Sequence, residues 1–106
     1  MKRIGTITRV KPGMLDAYKK IHDEIWDDVV AASHECGTRN FTIFNQGDYL
    51  FSYCEYVGDD YEADMKKKAE MPAIKRWKEA TGAMLMSVTE TSNGGIVLPE
   101  LFHCDF

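Results

Sequence analysis

The chain has 106 residues and a mass of 12.1 kDa, enough for one domain and too little for a separate cofactor-binding domain beside it. Its net charge of −4, from 13 basic and 17 acidic residues, argues against nucleic acid as a partner, because neutralising phosphates needs a basic surface. No apolar run approaches the roughly 18 residues of a membrane span, and Lys2 and Arg3 lead into Gly5, Thr6, Thr8 and Arg9 instead of an apolar leader, so a cytoplasmic location is expected.

Residues 2–10 are rich in β-branched side chains and predict a strand. Lys11-Pro12-Gly13 ends it, and Pro12 suits a helix start. Met14, Leu15, Tyr18, Ile21, His22, Ile25, Trp26 and Val29 then recur at three- and four-residue steps. That spacing predicts one amphipathic helix of about six turns, with Gly37 as its stop. Two apolar runs, Arg39 to Asn45 and Tyr49 to Val57, flank Asn45-Gln46-Gly47-Asp48 and predict a hairpin with a four-residue connection. In the second run Tyr49, Phe51, Tyr53 and Val57 share one face and Leu50, Cys54 and Tyr56 the other. Both faces are apolar, so both need cover. A helical layer can cover one; a second copy of the chain is the simplest cover for the other.

Asp59 and Asp60 open a further helix with Tyr61 and Met65 inward and Lys66 to Lys68 as its solvated face. Pro72 starts another that carries Ile74, Trp77 and Ala80 and runs to about Met86. Residues 87–95 read as a loop, and Ile96 to Cys104 as a last strand that Pro99 limits to an edge or a late start. Strand, helix, strand, strand, helix pair, strand is the β-α-β-β-α-β order of an α+β, ferredoxin-like sandwich: an antiparallel sheet with helices on one side and the other side free for dimerisation. The whole chain, 1–106, is read as one domain.

Phosphate-binding, nucleophile-elbow and zinc-protease motifs are missing. Cys36, Cys54 and Cys104 are widely spaced and odd in number, as reduced thiols of a cytoplasmic protein would be. His34-Glu35-Cys36 and His103-Cys104-Asp105 hold metal-ligand types, but neighbours in a strand point to opposite faces, so no metal site is expected. Tyr18, His22 and Trp26, at i, i+4 and i+8, fall on one side of a helix. Two readings fit. His22 is a core histidine flanked by packing aromatics, or it is an acid–base group with a phenol beside it, since an imidazole can both give and take a proton near neutral pH. Arg76-Trp77 is equally open: a core indole with a surface arginine, or a flat apolar face for the C–H side of a sugar ring. Phe41, Phe44, Phe51 and Tyr53 are core residues or pocket lining.

Tyr18-x-x-x-His22 with Ile25-Trp26, then Gly37-x-x-Asn40-Phe41-x-Ile43, Leu50-Phe51 with Glu55, Arg76-Trp77 and Glu100-Leu101-Phe102 resemble the L-rhamnose mutarotase family over nearly the whole chain. The resemblance implies a ferredoxin-like protomer whose homodimer closes two sheets into an α/β barrel. It implies exchange of the α and β anomers of a free sugar with neither metal nor organic cofactor. By the same resemblance His22 is the general acid, Tyr18 a catalytic and substrate-contacting phenol, and Phe41, Arg76 and Trp77 are substrate-binding. Two positions depart from the family: Phe41 stands where tyrosine is usual, and Lys78 where a second tryptophan is usual. Both change the polar pattern a sugar would meet, so L-rhamnose or another 6-deoxy sugar such as L-fucose is implied. Two other functions suit the same fold class: a cofactor-free dimeric-barrel monooxygenase, and a sugar-binding module without catalysis.

Overall fold

The computed structural model describes residues 1–89 and 95–106. Nine elements follow one another: β1 (Lys2–Val10), α1 (Leu15–Asp23), α2 (Asp27–Glu35), β2 (Thr38–Gln46), β3 (Tyr49–Tyr56), α3 (Tyr61–Glu70), α4 (Pro72–Gly82), β4 (Leu85–Met86) and β5 (Ile96–Leu98). The sheet is antiparallel with order β2-β3-β1-β4, and β5 shares the β4 side of β1. This is the expected α+β, ferredoxin-like arrangement.

The single long helix is not formed. It breaks at Glu24–Trp26, where Trp26 turns extended at φ −70°, ψ 138°. The two halves serve different cores. Tyr18 of α1 packs with Val10 and Leu50, whereas Val29 and Ala32 of α2 pack with Ile74 of α4, and Trp26 joins that second cluster. The break seats the Trp26 ring edge-on against Trp77, with ring centroids 5.1 Å apart. Asp27 and Asp28 then stand in the first turn of α2, where the helix dipole favours acids. Gly37 does end α2, at φ +90°, a conformation open to glycine at little cost.

The hairpin is tighter than expected. Gln46 already pairs with Tyr49, so the turn is Gly47-Asp48 alone, with Gly47 at φ +61°. The Leu50, Cys54 and Tyr56 face lies under the helices, with Leu50 and Tyr56 buried, while Tyr49 and Phe51 on the other face are exposed. Antiparallel partners share a face, so Ile7 and Phe44 stand beside Phe51 and Ile96 beside Ile7. Phe44 and Phe51 are therefore not core residues of the protomer; they belong to an open apolar sheet surface.

Asp60 caps α3 by accepting a hydrogen bond from the Ala63 amide at 3.1 Å. Lys68 leaves the solvated face expected for it. Its Nζ donates to Thr38 Oγ1 at 3.3 Å, and burial lowers the pKa of the amine. α4 stops at Gly82, short of Met86, because Met84 and Leu85 join the Val10 core and Leu85–Met86 pair with the end of β1. Residues 90–94 of the expected 87–95 loop lie outside the described residues. β5 ends at Leu98, well short of Cys104: Pro99 has no N–H for the ladder. Beyond it, Glu100 accepts two hydrogen bonds from the Arg3 guanidinium, at 2.8 and 2.9 Å, and Leu101, Phe102 and Phe106 are exposed.

Candidate active site

Between α1 and β2 lies a cavity of about 610 Å³, within the size range of small-ligand sites. Leu15, Asp16, Tyr18, Lys19, His22 and Asp23 of α1 form one wall, Phe41, Ile43 and Asn45 of β2 the other, and Ile25 and Leu50 complete the lining. The Tyr18–His22 pair predicted from i, i+4 spacing is intact, with ring centroids 4.2 Å apart and planes tilted by 36°.

The imidazole is fixed by its own helix. His22 Nδ1 lies 2.8 Å from the Tyr18 carbonyl oxygen. A carbonyl only accepts, so Nδ1 carries the proton in this contact and Nε2 is the position left for exchange. Trp77 fixes the ring further, standing edge-on at 5.0 Å from His22 and at 5.1 Å from Trp26. The two outer members of the predicted Tyr18–His22–Trp26 stack thus meet through Trp77 of α4. Burial pushes the Tyr18 phenol above its ordinary pKa, which keeps the hydroxyl protonated at neutral pH. Among the described residues neither that hydroxyl nor His22 Nε2 has a hydrogen-bond partner.

A bulge in β2 builds the opposite wall. Arg39 pairs with Glu55 and Thr42 with Tyr53, so Asn40 and Phe41 together oppose Cys54. Asn40 takes φ +53°, which asparagine tolerates better than most residues, and its amide donates to Glu55. That bond, then the Tyr53 hydroxyl at 2.8 Å, holds the Glu55 carboxyl below the usual range. The bulge reverses the strand's alternation. Without the extra residue, pairing Arg39 with Glu55 would turn Phe41, Ile43 and Asn45 to the open sheet surface. With it, all three line the cavity.

Of the five residues singled out from the sequence, Tyr18, His22 and Phe41 line the cavity together. Trp77 reaches it through the His22 ring. Arg76 lies elsewhere, exposed, with its guanidinium donating to Asp28 at 2.9 Å. Lys78 is exposed on α4. The sequence reading missed Asn45, taken for part of the turn, although alternation counted from Phe41 through Ile43 reaches it. It also missed Asp16, Lys19 and Asp23, whose helical positions border Tyr18 and His22. Among the described residues no three His, Cys, Asp or Glu side chains are grouped to hold a metal ion.

Two kinds of comparison agree on descent. The family model described as L-rhamnose mutarotase matches residues 3–104. The L-rhamnose mutarotase of Oceanobacillus iheyensis is 34% identical over 107 residues, covering 99% of this chain and 100% of that protein. Among solved structures, the L-rhamnose mutarotase of Formosa agariphila superposes with a TM-score of 0.79 at 21% identity, covering 99% of this chain and 100% of the other. The tetracenomycin F2 cyclase of Streptomyces glaucescens superposes with a TM-score of 0.71 at 18% identity, over 98% and 96% of the two chains, so fold alone does not separate these chemistries. The full-length family match and the O. iheyensis relative do: the chain belongs to the L-rhamnose mutarotase family.

Proposed function

We propose that the protein interconverts the α and β anomers of a free sugar, L-rhamnose first and other 6-deoxy aldoses second. The observation that carries this is the imidazole of His22, anchored through Nδ1 and exchangeable at Nε2, beside a neutral phenol in a cavity with room for a sugar.

The chemistry needs one proton donor and one acceptor around C1. Protonated His22 gives its Nε2 proton to the ring oxygen as the C1–O5 bond breaks. The C1 hydroxyl loses its proton to water at the cavity mouth, and C1=O1 forms. Rotation about C1–C2 presents the other carbonyl face. Ring closure then reverses each transfer: O5 returns its proton to His22 and O1 regains one, so nothing is consumed. The Tyr18 hydroxyl holds a sugar oxygen beside the imidazole. Trp77 is a positioning residue that sets the ring plane of His22. Phe41, Ile43, Leu15 and Ile25 offer apolar surface to the C–H face and C5 methyl of a 6-deoxy sugar. Acid–base assistance of this kind contributes about 10²–10⁴-fold.

The working unit in this proposal is a homodimer closed over the open sheet. A contiguous surface of Ile7, Phe44, Phe51, Tyr53 and Ile96 is more apolar than a lone protomer would be expected to leave in water. We place this enzyme in the cytoplasm, where its free thiols stay reduced. A panel of free aldoses, followed by saturation-difference and magnetisation-exchange NMR, tests the reading. L-Rhamnose is expected to bind and to exchange anomers faster than in buffer. Binding without acceleration would make the chain a sugar-binding module instead.

A further inference from the structure

The β2 wall carries one polar side chain into the cavity, Asn45, and its hydrogen bonds restrict what it can offer. Its Nδ2 donates to the carbonyl of Gly47 at 2.8 Å and to that of Tyr49 at 3.0 Å. Because the same atom faces two carbonyls, it must be the amide nitrogen, and the alternative flip would set the oxygen against both acceptors. Both amide protons are thereby engaged. The carbonyl Oδ1 is what Asn45 has left, and it is an acceptor only.

The hairpin holds it there. The two carbonyls belong to the two-residue turn and the strand just after it, so the side chain is tied to rigid backbone on both sides of Asp48. The bulge at Asn40–Phe41 supplies the alternation that brings residue 45 to the cavity side. Its neighbours on that wall, Phe41 and Ile43, have no hydrogen-bonding side-chain atoms. Tyr18 and His22, the groups assigned to the chemistry, are on the facing wall.

We propose that Asn45 is a specificity residue of this site: its Oδ1 accepts a hydrogen bond from one ring hydroxyl of the sugar, away from C1 and the ring oxygen. The inference rests on the sugar-binding reading above and deepens it by naming the hydrogen-bond polarity of the second wall. A fixed acceptor selects for a hydroxyl that can donate. It disfavours an analogue in which that oxygen is missing, or in which fluorine, which cannot donate, replaces it.

The test pairs residue with substrate group. Affinity and anomer-exchange rate are measured for L-rhamnose and its 2-, 3- and 4-deoxy and deoxyfluoro analogues. The proteins are the natural chain, Asn45→Leu and Gly47→Ala. In the natural chain one position should stand out, with both the deoxy and the fluoro analogue bound about 5-fold more weakly than the others, the effect of one neutral hydrogen bond. In Asn45→Leu that difference should shrink to within about twofold while the other positions keep their ratios. Gly47→Ala strains the φ of +61° with nothing near the added Cβ, so it loosens the turn whose carbonyl anchors the Asn45 amide. It should lower the melting temperature and weaken the discrimination at that one position, leaving the ratios at the other positions unchanged. A uniform loss across all sugars in Asn45→Leu, or a fluoro analogue bound as well as the hydroxyl at every position, overturns the proposal. Because affinity is read separately from exchange, a chain that binds sugars without exchanging them refutes the mutarotase reading and still decides the role of Asn45. A chain that binds no aldose refutes both.

Discussion

Gly37 joins the helix layer to the wall of the cavity, and its replacement by alanine has a magnitude that can be worked from geometry. The residue sits at φ +90°, and an added Cβ would lie 2.8 Å from Tyr56 Cε1, 3.0 Å from Cδ1 and 3.3 Å from the Gly58 nitrogen. The left-handed backbone costs an L-residue about 1–2 kcal/mol. Forcing a methyl against a buried ring costs about 1–3 kcal/mol more, because Tyr56 is only 4% exposed and is held by hydrogen bonds to Asp64 and from the Asp60 amide. The sum is roughly 2–5 kcal/mol, and at about 4–8 °C per kcal/mol the melting temperature should fall by on the order of 8–40 °C. Gly13→Ala is the control. Gly13 has φ +80° but nothing within 4 Å of the added Cβ, so it carries the backbone penalty alone, about 1–2 kcal/mol. Thermal unfolding followed by circular dichroism gives both values. Shrinking the ring with Tyr56→Leu should make the Gly37→Ala penalty smaller in the double variant than in the single one. Equal losses for Gly37→Ala and Gly13→Ala would refute the steric argument and with it the packing of β2 onto Tyr56.

Tyr56 also governs an alkaline transition. Burial first, and then its hydrogen bond to Asp64, push its phenol from 10.0 up to about 12. The folded value lies above the unfolded one, so the contribution of the protonated phenol is complete below pH 10 and is lost as pH rises towards 12. Tyr18, Tyr53 and Tyr61 are raised as well, so tyrosinate absorbance should show several late-ionising phenols, and Tyr56→Phe should remove the last of them. Tyr18→Phe removes one neutral hydrogen bond to substrate and should slow anomer exchange by about 5-fold while leaving the fold intact; no change would take the phenol out of the site. Phe41→Tyr restores a hydroxyl to the bulged strand, and exchange rates across aldoses should shift their order more than their sum. Phe44→Glu or Phe51→Glu puts charge on the open sheet surface and should convert a dimer to monomer in sedimentation; a monomeric natural chain would exclude the barrel.

β1, the β2–β3 hairpin and the Tyr18–His22 pair were readable because they depend on local pattern: β-branched content, alternation and i, i+4 spacing; β4 was not, because Leu85–Met86 continues the apolar pattern of α4. Gly37 and Pro72 marked their helix boundaries through backbone chemistry alone. The helix break at Trp26 was not readable from periodicity. It follows from the partition of two cores between α1 and α2, which only the assembled fold defines. The bulge at Asn40 was hidden for the same reason. One extra residue changes which face Asn45 serves, and nothing in a single strand's composition announces it. Arg76, attractive beside Trp77 in sequence, points one position around the helix, to Asp28, and does not line the cavity.

The central claim is that His22 passes a proton through Nε2 during ring opening. Magnetisation exchange between the α and β H1 resonances of L-rhamnose measures that step directly, with the natural chain and His22→Ala compared at equal concentration. Clear acceleration is expected from the natural chain and a loss of about 10²–10⁴-fold in the variant, with the folded spectrum retained. Undiminished exchange in a folded His22→Ala protein would contradict the claim.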